Sequence, residues 1–300
     1  MYGFIINERS GNGRGAKVWE KVESFLKDRN IPYCFRITEK AGHGTQLVHE
    51  MLGEKNLKAI VAVGGDGTVN EVINGLIGSD KPLGILPSGS GNDLCRALNI
   101  PLNWKGALQR VLECNIRTID LGEVTCRNDK PRFFTTVTGI GFDGQVAQTT
   151  NESFYKGILN KFQMGKAVYI LSVFKVLMNF KPSNIELSID DNRKYVSNVW
   201  LVAVANSSFY GGGMKISPQA KIDDGWLDVC IVQNLSKWGL IKLFPYVYQG
   251  KHIHHPSVTT FRCKTIDIQS DVPFTFHTDG EIIGQTPLLI RTNPNCLHVV

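Results

Sequence analysis

The stretch AIVAVGGDGTVNEVINGL, residues 59–76, reads as a buried strand, a glycine turn and a helix in immediate succession. Its apolar, largely β-branched opening suits a strand covered on both faces. Gly64, Gly65 and Gly67 let the main chain turn tightly and approach a ligand closely. A helix pattern follows at once, so main-chain amides at its start face the same ligand, and phosphate is the group such a turn favours. Asp66, in the middle of the turn, raises a difficulty, because a bare carboxylate repels phosphate. Mg²⁺ arriving with a nucleotide reverses the local sign and makes an acid sensible there.

The same alternation extends in both directions. GFII, AKVWEKVESFLKDRN, IPYCFRIT and TQLVHEMLGE precede the stretch, and PLGILP and NDLCRAL follow it. Strands alternating with helices imply a mainly parallel sheet covered on both faces, an α/β nucleotide-binding domain over residues 1–125. Beyond that point strand-like segments succeed one another: RFFTTVTGIGF, NIELSID, YVSNVWLVAVANSS, WLDVCIVQ, KTIDIQS and PFTFHTDG, interrupted by helix patterns near 154–180 and 236–249. They predict an antiparallel β-sandwich domain over residues 126–300, with the last residues returning to the first domain.

A chain of 300 residues, 42% hydrophobic, has enough apolar mass for two cores. The net charge of +6 is spread along the chain. It suits a phosphorylated substrate or an anionic surface, and no basic stripe interleaved with aromatics suggests nucleic acid. Seven scattered cysteines offer no zinc or redox spacing and fit a reducing cytosol. MYGFIINERS reaches charge too soon for an apolar leader, and no segment has the length and apolarity of a membrane span. The sequence therefore predicts a cytoplasmic protein.

Three glycine loops, ERSGNGRG (8–15), GGDGTVN (64–70) and PSGSGND (87–93), each follow a predicted strand. In open α/β sheets the carboxyl ends of the strands are where ligands bind. GxxxxGK[ST] is absent, and Asn70 stands where a dinucleotide fingerprint needs glycine. The phosphate is held by some other arrangement.

GGDGTVNEV, then PSGSGNDLCRAL, DDGWLDV and TDGE, in that order, resemble the bacterial lipid kinase family that shares the diacylglycerol kinase catalytic domain. GGDGT alone also occurs in NAD kinases, whereas the second block and the late DGE favour the lipid kinases. The resemblance implies an active site in the cleft between an α/β and a β-sandwich domain. It assigns ATP contacts to Asn7, Ser10, Gly11, Thr38, Gly64, Gly65, Asp66, Gly67, Thr68, Val69, Asn70 and Ser90, and places Asp93 near the reacting phosphate. One Mg²⁺ accompanies ATP. A second, structural Mg²⁺ is implied at DDGWLDV, held by Asp224 and the carbonyls of Lys221 and Trp226. Asp279, assisted by Glu281, corresponds to the catalytic base, and Asp66 and Asp93 complete the acidic set. Glu8 replaces a family proline, and Ser90 replaces a threonine while keeping the hydroxyl.

Read without the resemblance, several of these residues carry a second meaning. Asp279-Gly280 and Asp224-Gly225 are also ordinary turn dipeptides. Residues 154–181 hold five lysines and no acid, which fits either a helix resting on an anionic membrane or a core helix with extended lysines. His252, His254 and His255 read as a solvated loop. The implied activity is transfer of the γ-phosphate of ATP to the hydroxyl of a membrane lipid, diacylglycerol first, by a protein peripherally bound to the inner face of the membrane. A kinase of a soluble acceptor such as NAD, or an idle nucleotide-gated lipid-binding module, are the alternatives. Oligomeric state is not legible, and a homodimer stays open.

Overall fold

The computed structural model describes residues 1–126, 129–152, 165–190 and 192–300, the side chains of 165–170 excepted. The chain divides into two compact units, each discontinuous in sequence. The first is Met1–Leu121 with Ile222–Asp224 and Asn293–Val300; the second is Gly122–Lys221 with Gly225–Thr292.

In the first unit β1 (Tyr2–Ile6), α1 (Ser10–Asp28), β2 (Tyr33–Ile37), α2 (His43–Leu52), β3 (Ala59–Gly64), α3 (Asp66–Leu76) and β4 (Leu83–Pro87) alternate, and α4 (Asp93–Ala97) and α5 (Trp104–Glu113) follow. The strands are parallel in the order β2-β1-β3-β4, and the chain's last strand returns so that Val299 pairs with Leu83. Every residue of β1, β3 and β4 is buried, as a parallel sheet with two covered faces requires. The first turn of α1 is not α-helical. Gly11, Asn12 and Gly13 have φ of 57°, 58° and 86°, so the loop after β1 runs to Gly13 and the regular helix starts at Arg14.

The second unit holds β6 (Arg132–Phe134), β7 (Val137–Gly141), α6 (Phe142–Glu152), α7 (Gly165–Asn179), β8 (Ser183–Ile189), β9 (Asn192–Ala205) and β10 (Leu227–Gln233). It continues with α8 (Lys237–Gln249), a 3₁₀ turn (Lys251–His254), β11 (Val258–Cys263), β12 (Thr265–Ser270), β13 (Thr275–Thr278) and β14 (Glu281–Gln285). The second half of β5 (Arg117–Cys126) and the first five residues of β15 (Leu288–Val299) belong here too. Pairing is antiparallel throughout β14-β13-β7-β9-β8-β12-β15, and β10 lies between β9 and β11. Long β9 feeds two neighbourhoods, its first half pairing with β8 and its last residues lying between β7 and β10.

Trp200 of β9 centres the core of this unit. It is 2% exposed, stacks on Phe180 at 5.6 Å and 25°, meets Phe142 edge-on, and donates its indole N–H to the Leu235 carbonyl at 2.9 Å.

Three sequence readings change. RFFTTVTGIGF is two strands, broken at Thr135 and Thr136. His252 is not solvated: it is 1% exposed, its Nε2 lies 3.0 Å from the Ile216 carbonyl, and burial pushes its pKa down. The helix near 154–180 is seen from Gly165 as α7, which turns Ser172, Val176 and Leu177 inward and Leu171, Phe174 and Met178 outward. The remainder of that helix reading, residues 154–164, lies outside the described residues. No helix among the described residues is long and apolar enough to cross a membrane.

Trp200→Ala removes the ring that Phe142 and Phe180 pack on and is expected to lower stability by about 3–5 kcal/mol, measured by urea denaturation.

Candidate active site

The three glycine loops leave the carboxyl ends of β1, β3 and β4, which are neighbours in the parallel sheet. They are bonded directly to one another. Asn7 Nδ2 donates to Thr68 Oγ1 at 3.0 Å, joining the first loop to α3. Ser10 and Ser88 hydroxyls bond, and Arg14 donates to the carbonyls of Gly11 and Gly89, joining the first loop to the third. Glycine is required where backbones touch. A Cβ on Gly89 would stand 2.4 Å from the Gly65 Cα, and one on Gly11, whose φ is +57°, would stand 2.1 Å from the Ser88 carbonyl oxygen.

Asp66 completes the set. Its Oδ2 accepts the Asn92 amide and its Oδ1 the Asp93 amide, both at 2.8 Å. The negative charge that was puzzling beside a phosphate thus has protein partners, the amides that open α4, whose partial positive charge it satisfies. Asp93 is 5% exposed, and its carboxylate lies near that of Asp66 across Gly91. Burial, and secondarily the charge of Asp66, pushes the neighbouring Cys95 thiol up to about 12, so it is inert.

Thr38, whose amide donates to the Ile6 carbonyl, sits at the same edge, and Ser90 is exposed on the third loop. Asn7, Ser10, Gly11, Thr38, Gly64 to Asn70, Ser90 and Asp93 are therefore gathered along one edge of the first unit. Within that set Thr68, Val69 and Asn70 are buried, Thr68 bonded to Asn7 and Asn70 to Asn74.

The TDGE residues lie in the second unit. Asp279 and Gly280, at φ 48° and 89°, are the central residues of the two-residue turn between β13 and β14. The Asp279 carboxylate accepts the amides and hydroxyls of Thr135 and Thr136, at 2.5–3.1 Å, and the Val137 amide at 3.3 Å. That grip is what interrupts the predicted long strand. Asn206, wholly buried, holds the Thr135 carbonyl from the other side. Glu281 is the more open acid, its side chain 42% exposed beside Arg132 at 3.5 Å. The turn reading and the functional reading of Asp279 thus concern a single residue whose oxygens are already engaged by the protein.

At DDGWLDV, Asp224 is half-buried and the Lys221 and Trp226 side chains are exposed, with Arg262 and Lys264 over the Trp226 ring. The Ile222 carbonyl accepts the amide of Asp120, a carboxylate only 1% exposed that itself accepts the Asn295 amide.

Sequence reasoning passed over Asp120, Arg14, Glu71, Asp143 and His277. Glu71, inside the quoted stretch, accepts the Gly42 and Gly44 amides that open α2 and so shapes the segment after Thr38. An acid inside the apolar run RTIDLG was the one legible signal for Asp120. His277 and Asp143 stand 134 residues apart and had none.

Residues 1–124 match the diacylglycerol kinase catalytic domain, and residues 136–300 match the YegS C-terminal NAD kinase beta sandwich-like domain. A Bacillus subtilis protein named "Putative lipid kinase YtlR" is 33% identical over 99% of this chain and 98% of its own. The chain belongs to the diacylglycerol kinase family. It is a kinase of the lipid kinase type, with an α/β domain and a β-sandwich-like domain. A diacylglycerol kinase of Mycobacterium tuberculosis is 30% identical to this lipid kinase over 99% of the chain and 93% of its own. A crystal structure described as a "putative diacylglycerol kinase" from Bacillus anthracis superposes with a TM-score of 0.79 at 25% identity, covering 100% of this chain and 96% of that one.

Two substitutions test the carboxylate anchors of this lipid kinase. Asp66→Asn and Asp279→Asn each turn an amide donor toward main-chain donors. Each is expected to cost about 1–3 kcal/mol, seen as a lower melting temperature in the absence of any ligand.

Proposed function

We propose that the protein transfers the γ-phosphate of ATP to the free hydroxyl of a membrane lipid, diacylglycerol giving phosphatidic acid, with Mg²⁺. The observation that carries the nucleotide half is the set of three glycine loops bonded into one strand-end surface. Main-chain amides there suit a polyphosphate, as the helix-start geometry of α3 favours anions. Asn7, Ser10, Gly11, Thr38, Gly64 to Asn70 and Ser90 are assigned to the nucleotide, and Asp93 to the neighbourhood of the reacting phosphate.

Mg²⁺ bound with ATP supplies neutralisation of the phosphate charge. A structural Mg²⁺ fits the donors at DDGWLDV, which are all oxygen: the Asp224 carboxylate with the Lys221 and Trp226 carbonyls, and water for the rest of the shell. Among the described residues no cluster of three or more His, Cys, Asp or Glu offers a denser alternative.

In the transfer the acceptor oxygen attacks the γ-phosphorus, its proton passes to a carboxylate, and the bond to the β–γ bridging oxygen breaks to release ADP. The pair Asp279 and Glu281 serves this proton. Because Asp279 is held by five donors and Glu281 is the more exposed of the two, we assign the proton to Glu281, with Asp279 fixing the turn that presents it.

A lipid acceptor is supported by the second unit's surface. Leu171, Phe174 and Met178 of α7 and Trp238 of α8 are 50–74% exposed, and Lys237 of α8 donates to the Met178 carbonyl, so the two helices are linked. Lys175, Lys181, Lys237 and Lys242 accompany them, and no acid occurs from 153 to 185 or from 229 to 266. An apolar face with lysines and no acids suits peripheral contact with an anionic bilayer.

Labelled ATP offered with a panel of lipids in mixed micelles, and with NAD as soluble acceptor, tests the reading: label is expected in a lipid. Label in NAD alone, or in neither, overturns it. With the accepted lipid, Glu281→Gln is expected to lose about 10²-fold in turnover while melting like the parent. Near-native turnover in Glu281→Gln returns the proton to Asp279.

A further inference from the structure

The turn that carries Asp279 and Glu281 is held from behind by a buried histidine that the sequence did not single out. His277, on β13, is 4% exposed. Its Nδ1 accepts the Gly280 amide at 3.2 Å. An accepting Nδ1 places the ring proton on Nε2, which then donates to Asp143 Oδ2 at 3.0 Å. Asp143 lies in the first turn of α6, its side chain 10% exposed. The pair lies flat against β7. In the β7–β13 register His277 faces Gly139, and a Cβ there would stand 2.2 Å from Asp143 Oδ2 and 2.4 Å from His277 Nε2. Glycine at 139 is therefore what makes room for the pair.

A continuous chain results: the first turn of α6, Asp143, His277, the Gly280 amide, and the turn itself. Both central residues of the turn are left-handed, a conformation that costs Asp279 free energy and persists only where the surroundings impose it. Gly280 N–H is the turn's inward amide, and His277 Nδ1 is its acceptor.

We propose that His277, oriented by Asp143, is a positioning residue for the reaction: it holds the Gly280 amide so that the turn presents Glu281 and keeps Asp279 locked on Thr135 to Val137. The proposal rests on the reading of Asp279 and Glu281 as the proton-accepting pair. It assigns His277 no contact with substrate and no proton transfer of its own.

Two near-isosteric substitutions divide the histidine's functions. The Asn carbonyl reaches the place of Nδ1, so His277→Asn keeps the acceptor for Gly280 and loses the donor to Asp143. The Gln amide reaches the place of Nε2, so His277→Gln keeps the donor and loses the acceptor. Each variant gives up one buried hydrogen bond, and His277→Asn, which leaves the Asp143 carboxylate without its donor, is expected to melt lower than His277→Gln. Turnover on the lipid accepted in the micelle assay is expected to stay within about threefold of the parent in His277→Asn. In His277→Gln it is expected to fall about tenfold to a hundredfold with KM for ATP unchanged, the size of effect that a misplaced catalytic group produces. Equal turnover in the two variants, or turnover that simply follows their melting temperatures, reduces His277 to a packing residue and overturns the proposal.

Amide exchange at Gly280, followed by NMR in both variants, gives a readout that needs no acceptor. Faster exchange in His277→Gln than in His277→Asn is expected. Equal exchange overturns the positioning role even if lipid kinase activity is confirmed. An inactive parent that shows the expected exchange difference overturns the functional reading and leaves the hydrogen-bond chain standing.

Discussion

The glycine-loop edge of the first unit depends on one carboxylate spanning two loops. Asp66 accepts the amides of Asn92 and Asp93 from 26 and 27 residues away in sequence, and so fixes where the third loop stands against the second. Gly65 and Gly89 can then touch backbone to backbone, and Asn92 closes on Gly89 through both its amide and its carbonyl. Ser10 and Arg14 bring the first loop onto the third through Ser88 and Gly89. An apolar residue at 66 would leave two amides at the start of α4 without their acceptor, and the contact between the glycines would lose its support.

The second unit uses the same device. Asp279 accepts main-chain amides and threonine hydroxyls of the Thr135 to Val137 segment, as Glu71 accepts the amides at the start of α2. A carboxylate suits this work because its oxygens offer several lone pairs in a plane and bond more strongly to N–H than a neutral acceptor does. In a kinase the acids of such motifs draw attention as metal ligands and bases. Here three of the most conspicuous carboxylates, Asp66, Asp279 and Glu71, serve to hold main chain in place.

The sheet of the first unit was legible because its strands are short, mostly apolar runs, each with a glycine within the next five residues, and its helices repeat apolar residues at helical spacing. α6 was not legible. FDGQVAQTTNE has few apolar residues, and the helix follows β7 without an intervening loop, its first turn secured by Asp143 on His277. α5 and β5 went unread as well, between the last glycine loop and the change of texture in the sequence. His252 was misread because neighbouring histidines resemble a polar loop, whereas burial against the Ile216 carbonyl is a long-range fact.

By itself the sequence determined the strand–helix alternation of the first unit, the three glycine loops and the motifs that place the chain among lipid kinases, because strand period, helix period and backbone freedom at glycine are local properties. Tertiary structure decided what each acid does. A carboxylate's role depends on which donors surround it, and the donors of Asp66, Asp279 and Asp143 come from segments 26 to 144 residues away, a distance over which only folding brings groups together.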